Sequence, residues 1–206
     1  MILCDIGNSN VDFYHDGKLW SQSITEFKKA RLKESVYFIS VNDTVTSQLD
    51  KNYINIEEWF NFDTIYQGMG IDRIAACYTV NDGIIIDAGS AITVDVMSGG
   101  LHMGGYILPG INSFQVCYAN ISSKLDKTIN PNVLLDALPQ KTEDAISYGA
   151  IKPMIMILQD TCKEKTVYFT GGDGKYFSKF FKKSVYDRSL IFRGMLKAIE
   201  NKNKRL

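Results

Sequence analysis

Apolar positions along the chain alternate between two periods, and the change from one to the other marks the predicted elements. MILCDI is apolar up to Asp5 and predicts a buried, central first strand. VDFYH and KLWSQSI predict the next two strands, with HDGK between them as a tight turn and Gly17 where a positive backbone angle is needed. EFKKARLKE (26–34) predicts a short polar helix, VYFISV a strand parallel to the first, and TVTSQLDKNY a further short helix. From Ile71 the period lengthens. IDRIAACYTVN has helical spacing, with Ile74, Ala75, Cys77 and Tyr78 expected on its inner face, and NDG at 81–83 ends it. GIIIDAGSAITVDVM predicts two strands around a tight turn, and SGGLHMGGYILPGI a hairpin leading through Pro109 and Gly110 into the helix INSFQVCYANISSKL. Pro131 and Pro139 mark a loop before a long helix, TEDAISYGAIKPMIMILQDTCKE, which Pro153 is expected to kink or split. KTVYFTGGDG reads as strand, glycine turn and helix start, SLIFRGMLKAIENK as a last amphipathic helix, and NKNKRL as a frayed, solvated tail. The order of strands and helices predicts α/β layers in two lobes around a cleft, spanning 1–82 and 83–206.

Composition narrows what such lobes can do. With 206 residues, 45% of them apolar, the chain can build a substantial core. Lys plus Arg and Asp plus Glu are both 23, so net charge supplies no reason to expect a nucleic-acid partner. Cys4, Cys77, Cys117 and Cys162 are widely spaced and lie in or beside apolar segments, which predicts buried thiols in a reducing, cytoplasmic setting. With only His15 and His102 to accompany them, a Cys/His zinc site has little support. Asp5 interrupts the first apolar run, so no secretory signal is expected, and no uncharged run reaches membrane-spanning length.

Two stretches carry the candidate chemistry. ILCDIGNS and IIIDAGSA each run from apolar residues into Asp, any residue, Gly and a small polar residue, with Asp5 and Asp87 placed 82 positions apart. Each is followed by another β-like run, which suggests a duplication at the level of lobes. A carboxylate at a strand end is held by the sheet and is expected to face the crevice. The glycine brings backbone N–H groups close to a ligand, and Asn8, Ser9, Ser90 and Thr93 add small hydrogen-bonding groups. Consecutive N–H groups suit phosphate, and a divalent cation such as magnesium would bridge the acids to it. The alternative is that both acids only bond their own turns. GxxxxGK[ST] is absent, and no GxGxxG follows a strand, so any ATP site must use another architecture.

In Gly70-Ile71-Asp72-Arg73, Asp72 can serve as an ordinary helix-start residue. It can also be a general base for an alcohol acceptor, with Arg73 steadying an anion. GGYILPG places Gly104, Gly105, Pro109 and Gly110 either at a plain turn and helix entry or along a small-molecule wall. Gly171 and Gly172 follow a strand and allow backbone to approach a base or ribose, and Thr142 reads equally well as a helix cap. Trp59, Phe60, Phe62 and Tyr66 read as core or interface residues, since no arginines interleave them as a nucleic-acid platform would require.

In this order DIGNS, GIDR, DAGSAIT, GGYILPG and TGG resemble the type III pantothenate kinases over roughly residues 2–196. The resemblance implies the actin-like, sugar-kinase and heat-shock ATPase fold (ribonuclease H-like), and transfer of the ATP γ-phosphate to the pantothenate hydroxyl, the first step of coenzyme A synthesis. It implies that Asp5 lies near magnesium and phosphate, with Gly7, Asn8 and Ser9 as the phosphate loop. Asp72 corresponds to the base, with Tyr66, Gly70, Arg73, Gly104, Gly105, Pro109, Gly110 and Thr142 on the substrate side. Asp87 matches the acid tied to a monovalent cation, potassium or ammonium, and Gly89, Ser90, Thr93, Gly171 and Gly172 match the nucleotide side. It further implies a homodimer whose active site lies at the subunit boundary, while charge balance and apolar run lengths already point to no nucleic-acid and no membrane partner. Ser9 and Ser90 stand where threonine is frequent, and FDTIYQGMGIDR lacks a proline and has Met69 for leucine. Two other functions suit the same fold: hydrolysis of ATP or a phosphorylated metabolite, and nucleotide binding without catalysis.

Overall fold

The structure is a computed structural model and describes residues 1–29 and 32–204. The chain forms β1 (Ile2–Ile6), β2 (Asn10–His15), β3 (Lys18–Ser23), α1 (Ile24–Lys29), β4 (Val36–Ser40), α2 (Asp43–Thr46), β5 (Tyr53–Asn55) and α3 (Ile71–Cys77). There follow β6 (Gly83–Ala88), β7 (Ala91–Ser98), β8 (Leu101–Pro109), α4 (Ile111–Ile121), α5 (Thr142–Cys162), β9 (Val167–Thr170), α6 (Gly174–Ser178), β10 (Ser184–Tyr186) and α7 (Leu190–Asn203). Single 3₁₀ turns occur at Glu57–Trp59 and Ser123–Leu125.

Two five-stranded sheets share one plan. The first has the order β3-β2-β1-β4-β5 and the second β8-β7-β6-β9-β10, so each begins on its central strand. In both sheets that strand pairs in parallel with the strand following the crossover helix. This is the duplication that the repeated Asp-x-Gly pattern suggested. Asp5 and Asp87 each sit one residue before the end of the equivalent central strand.

The chain divides into two compact units. The first comprises Met1–Asp82, Asp95–Gly104 and Asp187–Leu206, and the second Gly83–Val94 and Gly105–Tyr186. Two later stretches belong to the first unit, because β7 and β8 run from one unit into the other and α7 packs on α3. In the first unit one sheet face buries Cys4, Ile6, Val11, Phe13, Phe38 and Phe27, with Trp20 stacked on Phe13 at 5.1 Å. On α7, Phe192 stacks on Tyr14 of β2 at 5.6 Å. In the second unit β6 is buried along almost its whole length, and α5 contributes Ile146, Ala150, Ile151, Met154, Ile155 and Leu158.

Several local expectations change. The helix expected over 26–34 is observed as Ile24–Lys29, and residues 30–31 lie outside the described residues. The basic end is not frayed throughout: α7 continues to Asn203, and 205–206 lie outside the described residues. Pro153 sits in the middle of an unbroken α5 rather than splitting it. On α3 the buried residues are Arg73, Ala75, Ala76 and Cys77, with Ile74 and Tyr78 only half-buried. Cys4, Cys77 and Cys162 are buried, and burial pushes the Cys162 thiol up to about 12. Cys117 is exposed, because α4 buries none of its residues within this chain. No helix among the described residues is long and apolar enough to cross a membrane.

Candidate active site

In the first unit, the chain leaves β1 through Gly7, whose N–H donates to the Asn10 carbonyl at 3.0 Å. Asn8 and Ser9 are exposed at the tip of this turn, and Asp5 is half-buried at its base. Asn42, which caps α2, reaches back with its amide to the Gly7 carbonyl at 3.4 Å. The neighbouring Val41 N–H donates to the Ile6 carbonyl at 3.0 Å. Asp12 stands opposite Asp5 in the antiparallel β1–β2 register, so the two carboxylates share a sheet face. Burial raises the Asp12 pKa, against a hydrogen bond from Ser21 and the charge of Arg188. Like charges opposed across strands are destabilising unless something positive lies between them. Sequence reading missed Asp12, since only strand register reveals its partner.

Gly70 precedes α3 with an ordinary φ of −62°, so its backbone needs no glycine. The reason for glycine is space: a Cβ there would lie 2.5 Å from Asp72 Oδ1 and 3.6 Å from Val41 Cγ1. The Asp72 carboxylate folds back over Gly70, and its Oδ1 accepts the Arg73 N–H at 2.8 Å. Burial raises the Asp72 pKa, opposed by that hydrogen bond and by the Arg73 charge. Arg73 does not project freely into solvent. It is 5% exposed. Its Nε and Nη2 donate to Asp95 at 3.0 and 2.7 Å, and its guanidinium carbon lies 4.7 Å from the centre of the Tyr66 ring.

In the second unit three sequence motifs meet. Gly89 closes the turn after β6 by donating to the Ala91 carbonyl at 2.9 Å. The Gly110 N–H donates to the Ser90 carbonyl at 3.1 Å, and a Cβ at Gly110 would collide with the Gly89 and Ser90 carbonyls. Gly171 has φ +79°, and a Cβ there would collide with Asp87 Oδ1 and the Ala88 carbonyl. Asp173 N–H donates to that same carbonyl at 2.9 Å. Thus DAGS, the LPG helix entry and TGG are packed together by close backbone approach, which glycine alone allows at these contacts. Gly172 differs, since a Cβ there would meet nothing within 4 Å.

The protein-family model for type III pantothenate kinase matches residues 59–164. A Campylobacter jejuni type III pantothenate kinase is 50% identical over 98% of this chain and 99% of its own length. The Wolinella succinogenes type III pantothenate kinase is 48% identical over 97% of both chains. The chain belongs to the type III pantothenate kinase family. A solved structure of a conserved Campylobacter jejuni protein, named for the Baf family of transcriptional activators, superposes with TM-score 0.90 at 47% identity over the whole of both chains. A Sinorhizobium meliloti structure named as a 2-dehydro-3-deoxygalactonokinase gives TM-score 0.59 at 8% identity, a likeness of fold alone. The architecture is the two-lobed actin, sugar-kinase and heat-shock ATPase fold.

For this member of the type III pantothenate kinase family, the sequence-derived residues fall into separate groups. Asp5, Gly7, Asn8, Ser9, Tyr66, Gly70, Asp72, Arg73 and Gly104 lie in the first unit. Asp87, Gly89, Ser90, Thr93, Gly105, Pro109, Gly110, Thr142, Gly171 and Gly172 lie in the second. Thr142 is exposed at the first turn of α5. Lys141 occupies the cap position, and no side-chain cap bond is made there. Asp95 and His102, both buried, were missed by the sequence reading. An Asp in an alternating strand carries no local signal of its partner, and Arg73 is 22 residues away.

Proposed function

We propose that this chain transfers the γ-phosphate of ATP to the hydroxyl of pantothenate, opening coenzyme A synthesis, with Asp72 as the general base. The observation that carries the base assignment is the Asp72 carboxylate folded over Gly70, half-buried and with its pKa raised by burial. A carboxylate of raised proton affinity accepts an alcohol proton more readily as the oxygen–phosphorus bond forms. Tyr66, Gly70, Arg73, Gly104, Gly105, Pro109, Gly110 and Thr142 serve pantothenate. Arg73 acts through its charge, which the enclosed Asp95 partly offsets. Asp5, Gly7, Asn8, Ser9, Gly89, Ser90, Thr93, Gly171 and Gly172 serve the nucleotide.

The oxygen donors fit magnesium: Asp5 and Asp12, opposed on one sheet face, would hold it beside the phosphates. Bound there, the ion would neutralise charge on the transferring group. Asp87 and neighbouring carbonyls suit potassium or ammonium. Among the described residues no cluster of three or more His, Cys, Asp or Glu side chains is gathered for a metal. Two carboxylates with phosphate and water complete a magnesium shell without such a cluster. The homodimer is supported by α4, which is uncharged throughout, buries nothing within the chain and exposes Val116 and Ile121.

The test is product formation. Purified protein with ATP, magnesium, potassium and pantothenate should yield 4′-phosphopantothenate, and Asp72→Asn should abolish turnover while preserving the fold. Phosphate release independent of pantothenate would mark a hydrolase, and nucleotide binding without product would mark a regulator. Val116→Asp should give a monomer by sedimentation, and a dimer that persists would remove α4 from the interface.

A further inference from the structure

Asp95 lies outside every motif, yet it is the centre of a buried polar chain confined to the first unit. It is 1% exposed and accepts Nε and Nη2 of Arg73 at 3.0 and 2.7 Å. His102 Nε2 lies 2.9 Å from the Oδ1 that Nη2 also reaches. His102 Nδ1 lies 2.7 Å from Thr64 Oγ1, which also accepts the Tyr66 N–H at 3.0 Å. A carboxylate only accepts, so Nε2 carries a proton toward Asp95. The chain therefore joins α3, β7, β8 and the segment before GIDR. It passes through Arg73, the residue directly after the candidate base.

We propose that Asp95 is a positioning residue for phosphoryl transfer: its grip on Arg73 fixes the first turn of α3, and so the aim of Asp72, and it offsets the guanidinium charge beside the base. This rests on the reading of Asp72 as the base. Two observations carry it. The Arg73–Asp95 fork is bidentate and fully enclosed, a geometry that holds both position and angle. The Arg73 main-chain N–H is itself the donor to Asp72 Oδ1, so a shift of the α3 backbone at Arg73 moves the base. A buried pair of this kind adds little net stability over an apolar one, which leaves orientation as its main product. The charged and titratable groups facing Asp95 are Arg73 and Cys77 from α3 and His102 from β8, and Tyr66 of the preceding segment lies against Arg73. Those acting on Asp72 are Arg73, which lowers its proton affinity, and Asp95, which raises it.

The sign of the test follows. Asp95→Asn leaves Arg73 uncompensated next to Asp72, so Asp72 binds its proton less tightly. The acid limb of kcat/KM for pantothenate then moves to lower pH, while kcat falls about 10- to 100-fold through misalignment. Asp95→Glu keeps the charge, so its acid limb should stay at the wild-type position while kcat recovers in part. Ionisations of the substrates are common to all variants and cancel in the comparison. A fall in kcat and in melting temperature with an unmoved limb in Asp95→Asn would reduce Asp95 to a structural role and overturn the proposal. Should Asp95→Asn fail to fold, His102→Gln serves. It frees the Oδ1 shared with Nη2 and should lower kcat without raising KM for ATP, and an unchanged kcat would overturn the proposal. Asp72→Asn separates the two readings. If the acid limb persists in that variant, the base assignment fails. If it vanishes there yet stays in place in Asp95→Asn, only the role of Asp95 fails.

Discussion

Gly194→Ala probes how closely α7 and α3 must approach for the site to form. Gly194 is buried in α7 against the backbone of Ala75, three residues beyond Asp72. A Cβ there would collide with the Ala75 carbonyl oxygen and lie 2.8 and 3.1 Å from its carbonyl carbon and Cα. Carbon atoms in contact sit about 3.5–4.0 Å apart, so the carbon contacts alone require the two helices to separate by roughly 0.5–1 Å, and the carbonyl oxygen by more. Backbone cannot swing aside as a side chain can, and overpacking of this kind costs about 1–3 kcal/mol. Alanine recovers about 0.5–1 kcal/mol of helix propensity. The net loss is therefore about 0.5–2 kcal/mol. A chain of this size loses about 2–4 °C of Tm per kcal/mol, so Tm should fall by roughly 1–8 °C. Thermal unfolding followed by circular dichroism measures this, and initial rates of pantothenate phosphorylation report whether displaced α3 carries Asp72 out of line. The same substitution at Gly172, where a Cβ meets nothing within 4 Å, is the control and should leave Tm unchanged. A Gly194→Ala protein that melts at or above the wild-type temperature would refute the reasoning, because helix propensity would then have outweighed a backbone collision.

Gly172→Ala should nonetheless raise KM for ATP, since the space it fills is not needed by the fold. Steady-state kinetics with ATP varied checks this, and an unchanged KM would take Gly172 out of the nucleotide site. Gly70→Ala should lower kcat with little change in Tm, because the new methyl displaces a carboxylate rather than backbone. A large drop in Tm would show that Gly70 serves the fold instead. Asp187 accepts from the Ser189 N–H and hydroxyl and from Arg193 at 2.8, 2.6 and 2.9 Å, and these bonds hold its carboxyl below the usual range despite partial burial. Its folded-state pKa being depressed, the stabilisation is complete above the ordinary carboxylate value of about 3.9 and is lost as pH falls through the lower folded value. Asp187→Asn should therefore lower stability by about 1 kcal/mol at pH 7, and the difference from wild type should close in strongly acid solution. A gap that stays constant down to pH 2 would sink that account.

Local pattern was enough to place most of the strands and the turns at Gly7, Gly17 and Gly89, because each depends on neighbours in the chain. Gly104 and Gly105, within the segment expected to hold a hairpin, instead lie in one continuous strand, β8. Alternation marks one buried face, an apolar run marks two, and Asp-Gly between two strands forces a tight reversal, observed with positive φ at Asp16 and Gly17. The repeated acid-glycine turn was likewise legible, since both copies follow a buried strand and the two sheets share an order. The short strands β5 and β10 were not, because three residues carry too little periodicity to stand out.

The residues themselves determined where the acids stand: Asp5 and Asp87 near strand ends, Asp72 in a first helical turn. Only the tertiary structure decided what each acid faces. Register set Asp12 opposite Asp5. Close approach, not backbone angle, explained Gly70, Gly110 and Gly194. The return of β7, β8 and α7 to the first unit brought Asp95 to Arg73 and α7 onto α3. Periodicity reports which side of an element is buried. It contains no term for which distant group lies on that side, and here that group is Asp95, which holds Arg73 beside the candidate base.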